Sequence, residues 1–241
     1  MLQPSAGFDR RSFKKCGAEL TFFKASIRRE LINYHRKPSL VLNPLVFYGL
    51  VVFLSVIAVG PEKGQLVQVA PAFIWTAALL AILMSADGVF RNDYEDGSLE
   101  LVVVSGKSLA VYVLAKTTAH WIVTVVPLVL LMPLLGITLF FDFRSIWVLC
   151  LGIVLVTPTL SILGAVGAAI TLGLPRNGML TFVLILPFYV PPLIFVTGMI
   201  QASQLGEAIL PFVYWLLGIF FLAIALAPMV LIACLRMAAE D

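Results

Sequence analysis

Charge is scarce in this chain. Asp, Glu, Lys and Arg together make up 12% of its 241 residues, while 61% are hydrophobic. A soluble domain carries about 25% charged residues, so a water-soluble globular protein is excluded and a polytopic membrane protein remains. Period-two alternation is missing from the long apolar runs, which leaves helices rather than the strands of a barrel. Histidine is nearly absent: His35 and His120 lie in separate stretches. No multi-ligand metal site follows from them, and no Ser–His–Asp arrangement stands out. No catalytic residue and no metal are therefore expected. The three cysteines, Cys16, Cys150 and Cys234, are scattered without a CxxC pair, which argues against a disulfide framework.

A nucleotide-binding motif is missing too. Gly106-Lys107-Ser108 resembles the end of a phosphate-binding loop, but the pattern needs glycine where Leu101 stands. The segment also leads into a membrane helix. It reads as a turn with Ser108 as a helix cap, so any ATP that drives this protein is bound by another polypeptide. The chain is not expected to be an enzyme. A cleavable signal peptide is not expected either, because about 39 mixed residues precede the first apolar run.

What is present is an ordered series of apolar runs. Six spans are predicted at residues 40–59, 66–84, 109–135, 146–172, 179–200 and 208–235. The expected fold is all-α, a six-helix membrane body with one amphipathic helix ahead of it. Residues 1–19 read as a basic cytoplasmic tail. Over 20–37, Leu20, Phe23, Ile27, Leu31 and Tyr34 recur at helical spacing, with Lys24, Arg28, Arg29 and Glu30 off that stripe. Such a helix lies in the headgroup plane, either as an anchor against anionic lipid or as an elbow that also touches a cytoplasmic partner. Lys37-Pro38-Ser39 ends it. Residues 40–235 form the transmembrane domain.

Prolines punctuate the spans. Asn43-Pro44 breaks span 1 early, and Pro187, Pro191 and Pro192 interrupt span 5, with the stretch beyond them open to being a re-entrant or interfacial helix. Lys116 sits close enough to the end of span 3 to snorkel outward. Span 4 is rich in small residues (Gly164, Ala165, Gly167, Ala168, Ala169), which suits either packing within the bundle or a homodimer seam. A turn is expected at 60–64 and another at 173–178.

Orientation follows from the cations. With the N-terminus in the cytoplasm, nine basic residues of the N-terminal segment plus Arg91, Lys107, Lys116, Arg176 and Arg236 lie inside, against Lys63 and Arg144 outside. Both termini are then cytoplasmic, in a bacterial inner membrane.

The focus of the sequence is residues 90–100, FRNDYEDGSLE, within a cytoplasmic segment at 87–108. It places Asp93, Glu95, Asp96 and Glu100 between two oily runs, with Arg91 and the turn residues Gly97-Ser98. Phe90, Leu99, Leu101, Val102 and Val103 make it amphipathic, which a simple surface crossing would not need. It reads as a short helix that plugs into a separate ATP-hydrolysing protein. Asp87 stands four residues before Arg91 and meets it on one face if the helix of span 2 continues. Deep in span 3, His120-Trp121 has two readings. One is a functional site, as a haem axial ligand or part of a transport path. The other is a neutral imidazole bonded to a neighbouring helix.

FRNDYEDGSLE, the AKTTAHW stretch at 115–121 and TPTLSILGAVGAAITLGL at 157–174 together resemble the CcmB family, haem exporter protein B. Asn43-Pro44-Leu45, Gly60-Pro61-Glu62 and Ala70-Pro71-Ala72-Phe73-Ile74-Trp75 add to the likeness, which covers about residues 20–236. The resemblance implies the permease subunit of an ABC system for cytochrome c maturation, with six spans. It implies partners: an ATPase subunit (CcmA) that binds the ATP, a haem-handling membrane protein (CcmC) and a small membrane protein (CcmD), with two copies of this chain per complex. ATP hydrolysis would be linked to release of a haem-loaded chaperone (CcmE). Residues 90–100 would be the ATPase-coupling segment. Haem is a possible ligand of the complex, and none is assigned to this chain. The alternatives are a permease for lipid or another amphiphile, and an assembly scaffold that transports nothing.

Overall fold

The computed structural model describes residues 10–60, 62–173 and 178–240. The tail at 1–9 and most of the turn at 173–178 lie outside the described residues, as does Pro61 of the turn at 60–64. Helix α1 is Arg10–Arg36, α2 Ser39–Val59, α3 Lys63–Ala86, α4 Gly88–Glu95 and α5 Ser98–Val104. Helix α6, Leu109–His120, passes through a π-helical turn at Trp121–Val125 into α7, Val126–Thr138. Then come α8 Phe143–Ile170, α9 Gly178–Gln204 and α10 Leu210–Glu240. Among the described residues, six continuous helices are long and apolar enough to cross a membrane: Ser39–Val59, Lys63–Glu95, Leu109–Thr138, Phe143–Ile170, Leu180–Gln204 and Leu210–Ala239. The protein is a multi-pass, all-α membrane protein.

Helix α8 packs against α3, α9 and α10. Its small residues explain how. A Cβ added at Gly152 would stand 2.7 Å from Val196 and 3.2 Å from the Trp75 ring, and one at Gly164 would stand 2.7 Å from the Tyr189 hydroxyl. Of the two readings of the span 4 stripe, packing within the chain is the one seen: α3 and α9 occupy it.

Proline breaks fewer helices than expected. Helix α2 runs through Pro44, and α9 continues through Pro187, Pro191 and Pro192 without a re-entrant segment. Each proline removes one N–H bond. Unwinding a span would expose several more backbone groups to lipid, so the helix persists. Pro127 has a different effect. Its missing N–H and its ring clash with the carbonyl four residues back loosen the preceding turn, and Trp121–Val125 takes the wider π register there.

Helix α1 differs most from expectation. It begins at Arg10, inside the stretch read as a tail. It also runs beside α6 in the same chain direction, with Lys107 over the Phe22 ring and Lys116 beside Glu30. Leu20 and Leu31, two residues of its apolar stripe, are exposed, whereas Glu30 from the polar side is buried. The polar partner on α6 rotates the helix so that its acid, not its leucines, faces the bundle.

Candidate functional site

The polar island is a helical hairpin between the second and third spans, not a loop. Span 2 carries on as helix to Glu95. Gly97, with φ 73°, supplies the left-handed residue that stops α4 and starts α5. The Asp96 carboxylate accepts the Ser98 N–H at 2.9 Å and holds the turn. Phe90 and Leu99 are fully buried and face Leu109, Tyr112, Ala168 and Leu235 in a second apolar cluster below the main core. Ser108 takes the position before α6, but its hydroxyl makes no capping bond.

Two polar networks fix the hairpin to its neighbours. On one side, Asp93 is buried. One of its oxygens receives Arg29 from α1 at 2.6 Å, Lys116 from α6 at 2.8 Å, and the Tyr112 hydroxyl. Lys116 also lies 3.4 Å from Glu30 and donates to the Val89 carbonyl at 2.9 Å. The cluster holds two acids and two bases, so its charges cancel, as buried ions require. Burial works against the charge on Arg29, but Asp93 and Glu30 outweigh it and hold the guanidinium above its ordinary value. Burial pushes the Tyr34 phenol up, with Glu30 adding to the effect. Lys116 does not snorkel: a salt bridge inside the protein satisfies it better than a stretched path outward.

On the other side, Asp87 and Arg91 meet as the i,i+4 pair at 3.7 Å. Arg91 donates to the Thr171 carbonyl at 3.4 Å, and Thr181 donates to Asp87 at 3.1 Å while lying 2.7 Å from the Thr171 hydroxyl. This ties α4 to the end of α8 and the start of α9. Among the acids and apolar residues of the segment, Glu95, Asp96, Glu100, Leu101 and Val104 are exposed. Leu101 is 72% and Val104 84% exposed, a pair of bare apolar side chains in an acidic setting.

His120 stands at the junction of α6 and the π turn. Its Nε2 is 2.8 Å from the Ser85 hydroxyl on α3, and its Nδ1 is 2.9 Å from the Ser161 hydroxyl on α8. Trp121 donates its indole N–H to Thr157 at 3.1 Å. Both imidazole nitrogens are engaged, so the ring as it stands pins three spans together. An iron ligand at either nitrogen would first have to displace a serine.

Sequence reasoning missed Arg29, Lys116 and Tyr112 as partners of Asp93, Glu30 as the second acid beside Lys116, and Val104 as part of the exposed edge. A buried-charge signal existed in Lys116, a lysine well inside an apolar run. Nothing local to the sequence pointed to its partners.

The family model described as CcmB protein matches residues 21–238. Over 219 residues the chain is 45% identical to the heme exporter protein B of Pseudomonas aeruginosa, covering 91% of this chain and 98% of that one. The protein of the same name from Haemophilus influenzae is 37% identical over 219 residues, covering 91% and 99%. That from Paracoccus denitrificans is 41% identical over 192 residues, covering 80% and 88%.

Proposed function

The chain belongs to the CcmB family, and from that premise we propose that it is the membrane (permease) subunit of an ATP-driven complex for c-type cytochrome biogenesis. It has no nucleotide site of its own. A separate ATPase subunit docks on α4–α5 from the cytoplasm and supplies the work, which drives haem export and release of a haem-loaded chaperone on the far side. Two copies of the chain form the membrane core, beside a haem-handling membrane protein and a small membrane protein. The complex lies in the bacterial inner membrane with both termini of this chain in the cytoplasm, where fourteen of its sixteen basic residues then fall. The name heme exporter protein B, carried by relatives that align along nearly their whole length, supports the haem assignment.

One observation carries the coupling role. The α4–α5 hairpin turns Glu95, Asp96, Glu100, Leu101 and Val104 outward and anchors its other sides to α1, α6, α8 and α9. Force on the outer edge therefore reaches four helices through buried polar contacts, without deforming a flexible loop. His120 lies further along the same body and links α3, α6 and α8, so a displacement of α4 has a rigid path into the spans.

The test keeps buried and exposed acids apart. Glu95→Lys, Asp96→Lys and Glu100→Lys are combined in one variant, and Leu101→Asp is made in another. Both are expected to fold, to lose the co-purifying ATPase and to lose cytochrome c assembly. Retention of both properties in the two variants would refute docking at this edge.

A further inference from the structure

A polar cavity of about 400 Å³ opens at the corner where α1 turns into α2. On the α1–α2 side its exposed lining residues are Asn33, Arg36, Lys37, Ser39 and Asn43, on the α4 side Asn92 and Asp96, and Ser85 lies further in. Its carboxylates are already engaged. Glu30 and Asp93 are held by Lys116 and Arg29, and Asp96 accepts the Ser98 N–H. Arg36 and Lys37 are not: among the described residues neither side chain has an ion pair or hydrogen bond. The cavity thus offers two uncommitted cations beside the hydroxyl of Ser39 and the amides of Asn33 and Asn43. All are donors, and a compact oxyanion with several acceptor oxygens satisfies them together.

The position narrows the source of that anion. Ser39 is the first residue of a membrane span, so the cavity sits at the depth of lipid headgroups. From there α2 presents Leu42, Val46, Leu50, Phe53 and Ile57 outward, all more than half exposed, at spacings that form one stripe along the helix. An anion that carries hydrocarbon chains fits both features.

We infer that this cavity seats the phosphate headgroup of a membrane phospholipid, with its acyl chains laid along the outer stripe of α2. The lipid ties the α1–α2 corner to the cytoplasmic leaflet. The cavity meets the ATPase-docking edge at Asp96, so its test does not use ATPase binding and alters only residues of α1, α2 and the corner between them.

The full-length protein, purified in detergent, is titrated with three probes while its thermal unfolding is followed. Phosphatidylglycerol has phosphate and chains, diacylglycerol has the chains alone, and inorganic phosphate has neither chains nor ester. Phosphatidylglycerol is expected to raise the melting temperature, and the other two are expected to have little effect at equal concentration. Arg36→Ala/Lys37→Ala is expected to need about tenfold more lipid for the same rise. Asn43→Trp, which fills the cavity but keeps both cations, is expected to weaken the response as well. Lys24→Ala/Arg28→Ala removes two exposed cations elsewhere on α1 and is expected to respond like the wild type. An equal rise with diacylglycerol overturns the headgroup site, and an equal rise with inorganic phosphate overturns the lipid as its source. An unchanged response in Arg36→Ala/Lys37→Ala also overturns it. So does disulfide crosslinking of Val46→Cys between two copies, which would give the stripe to a second chain.

Discussion

The ammonium of Lys116 stands 2.8 Å from the carboxylate of Asp93, and the two side chains are 3% and 5% exposed. This pair joins the third span to the α4–α5 hairpin, and α1 closes over it with Arg29 and Glu30. Its chemistry explains why an acid from the most polar stretch of the chain lies inside the fold.

Asp93→Asn should be more damaging than its location suggests. It leaves Lys116 and Arg29 facing Glu30 alone, and breaking a buried ion pair costs about 3–5 kcal/mol. Arg29 is 43% exposed, so the largest share belongs to Lys116. The expected result is a lower melting temperature and easier proteolysis of α1. The double variant Asp93→Leu/Lys116→Met should recover most of the loss. A double variant less stable than either single would show that the cluster does not act as a unit.

Charge reversal should separate the acids of the hairpin into two kinds. Asp93→Lys is expected to reduce the folded yield. Glu100→Lys is expected to leave the yield near wild type, because an exposed charge contributes at most about 1 kcal/mol. Size-exclusion profiles of the two variants, compared side by side, check this.

His120→Leu removes the partner shared by Ser85 and Ser161. Hydrogen bonds between membrane helices average about 0.6 kcal/mol and reach about 1.7, so a loss of about 1–3 kcal/mol is expected for the two. The haem absorbance of the purified complex should not change, since the imidazole is fully used within the protein. Loss of that absorbance with stability intact would instead assign His120 to haem.

A methyl group at Gly167 would run into the side chain of Ile185. Gly167→Ala is expected to cost about 1–3 kcal/mol through overpacking of α8 on α9. Adding Ile185→Ala should recover part of it. Thermal unfolding of the two variants gives the comparison.

Orientation can be read by labelling. In intact cells a membrane-impermeant thiol reagent should reach Lys63→Cys and not Glu100→Cys. The opposite pattern would place the hairpin outside and remove the coupling role.

Six spans were legible because about 20 apolar residues in a row have one stable solution in lipid. The predicted span at 109–135 and the observed Leu109–Thr138 start at the same residue. The Asp87–Arg91 pair was legible for a similar reason, since helical spacing alone brings the two together. Helix α1 was legible only as a helix. Of its hydrophobic stripe, Phe23, Ile27 and Tyr34 are part-buried and Leu20 and Leu31 exposed. The burial of Glu30 was not legible, because it faces a lysine that lies beyond two spans and the hairpin. The π turn after His120 was not legible, although Pro127 was its local cause.

The sequence by itself determined a membrane-embedded helical body with a polar, partly helical segment between two spans, because the transfer of apolar side chains and backbone groups into lipid depends on local sequence. Only the tertiary structure decided which acids of that segment are available to a partner. Whether a carboxylate is buried or bare depends on cations brought beside it from elsewhere: Asp93 is buried because Arg29 and Lys116 converge on it, and Glu100 is exposed.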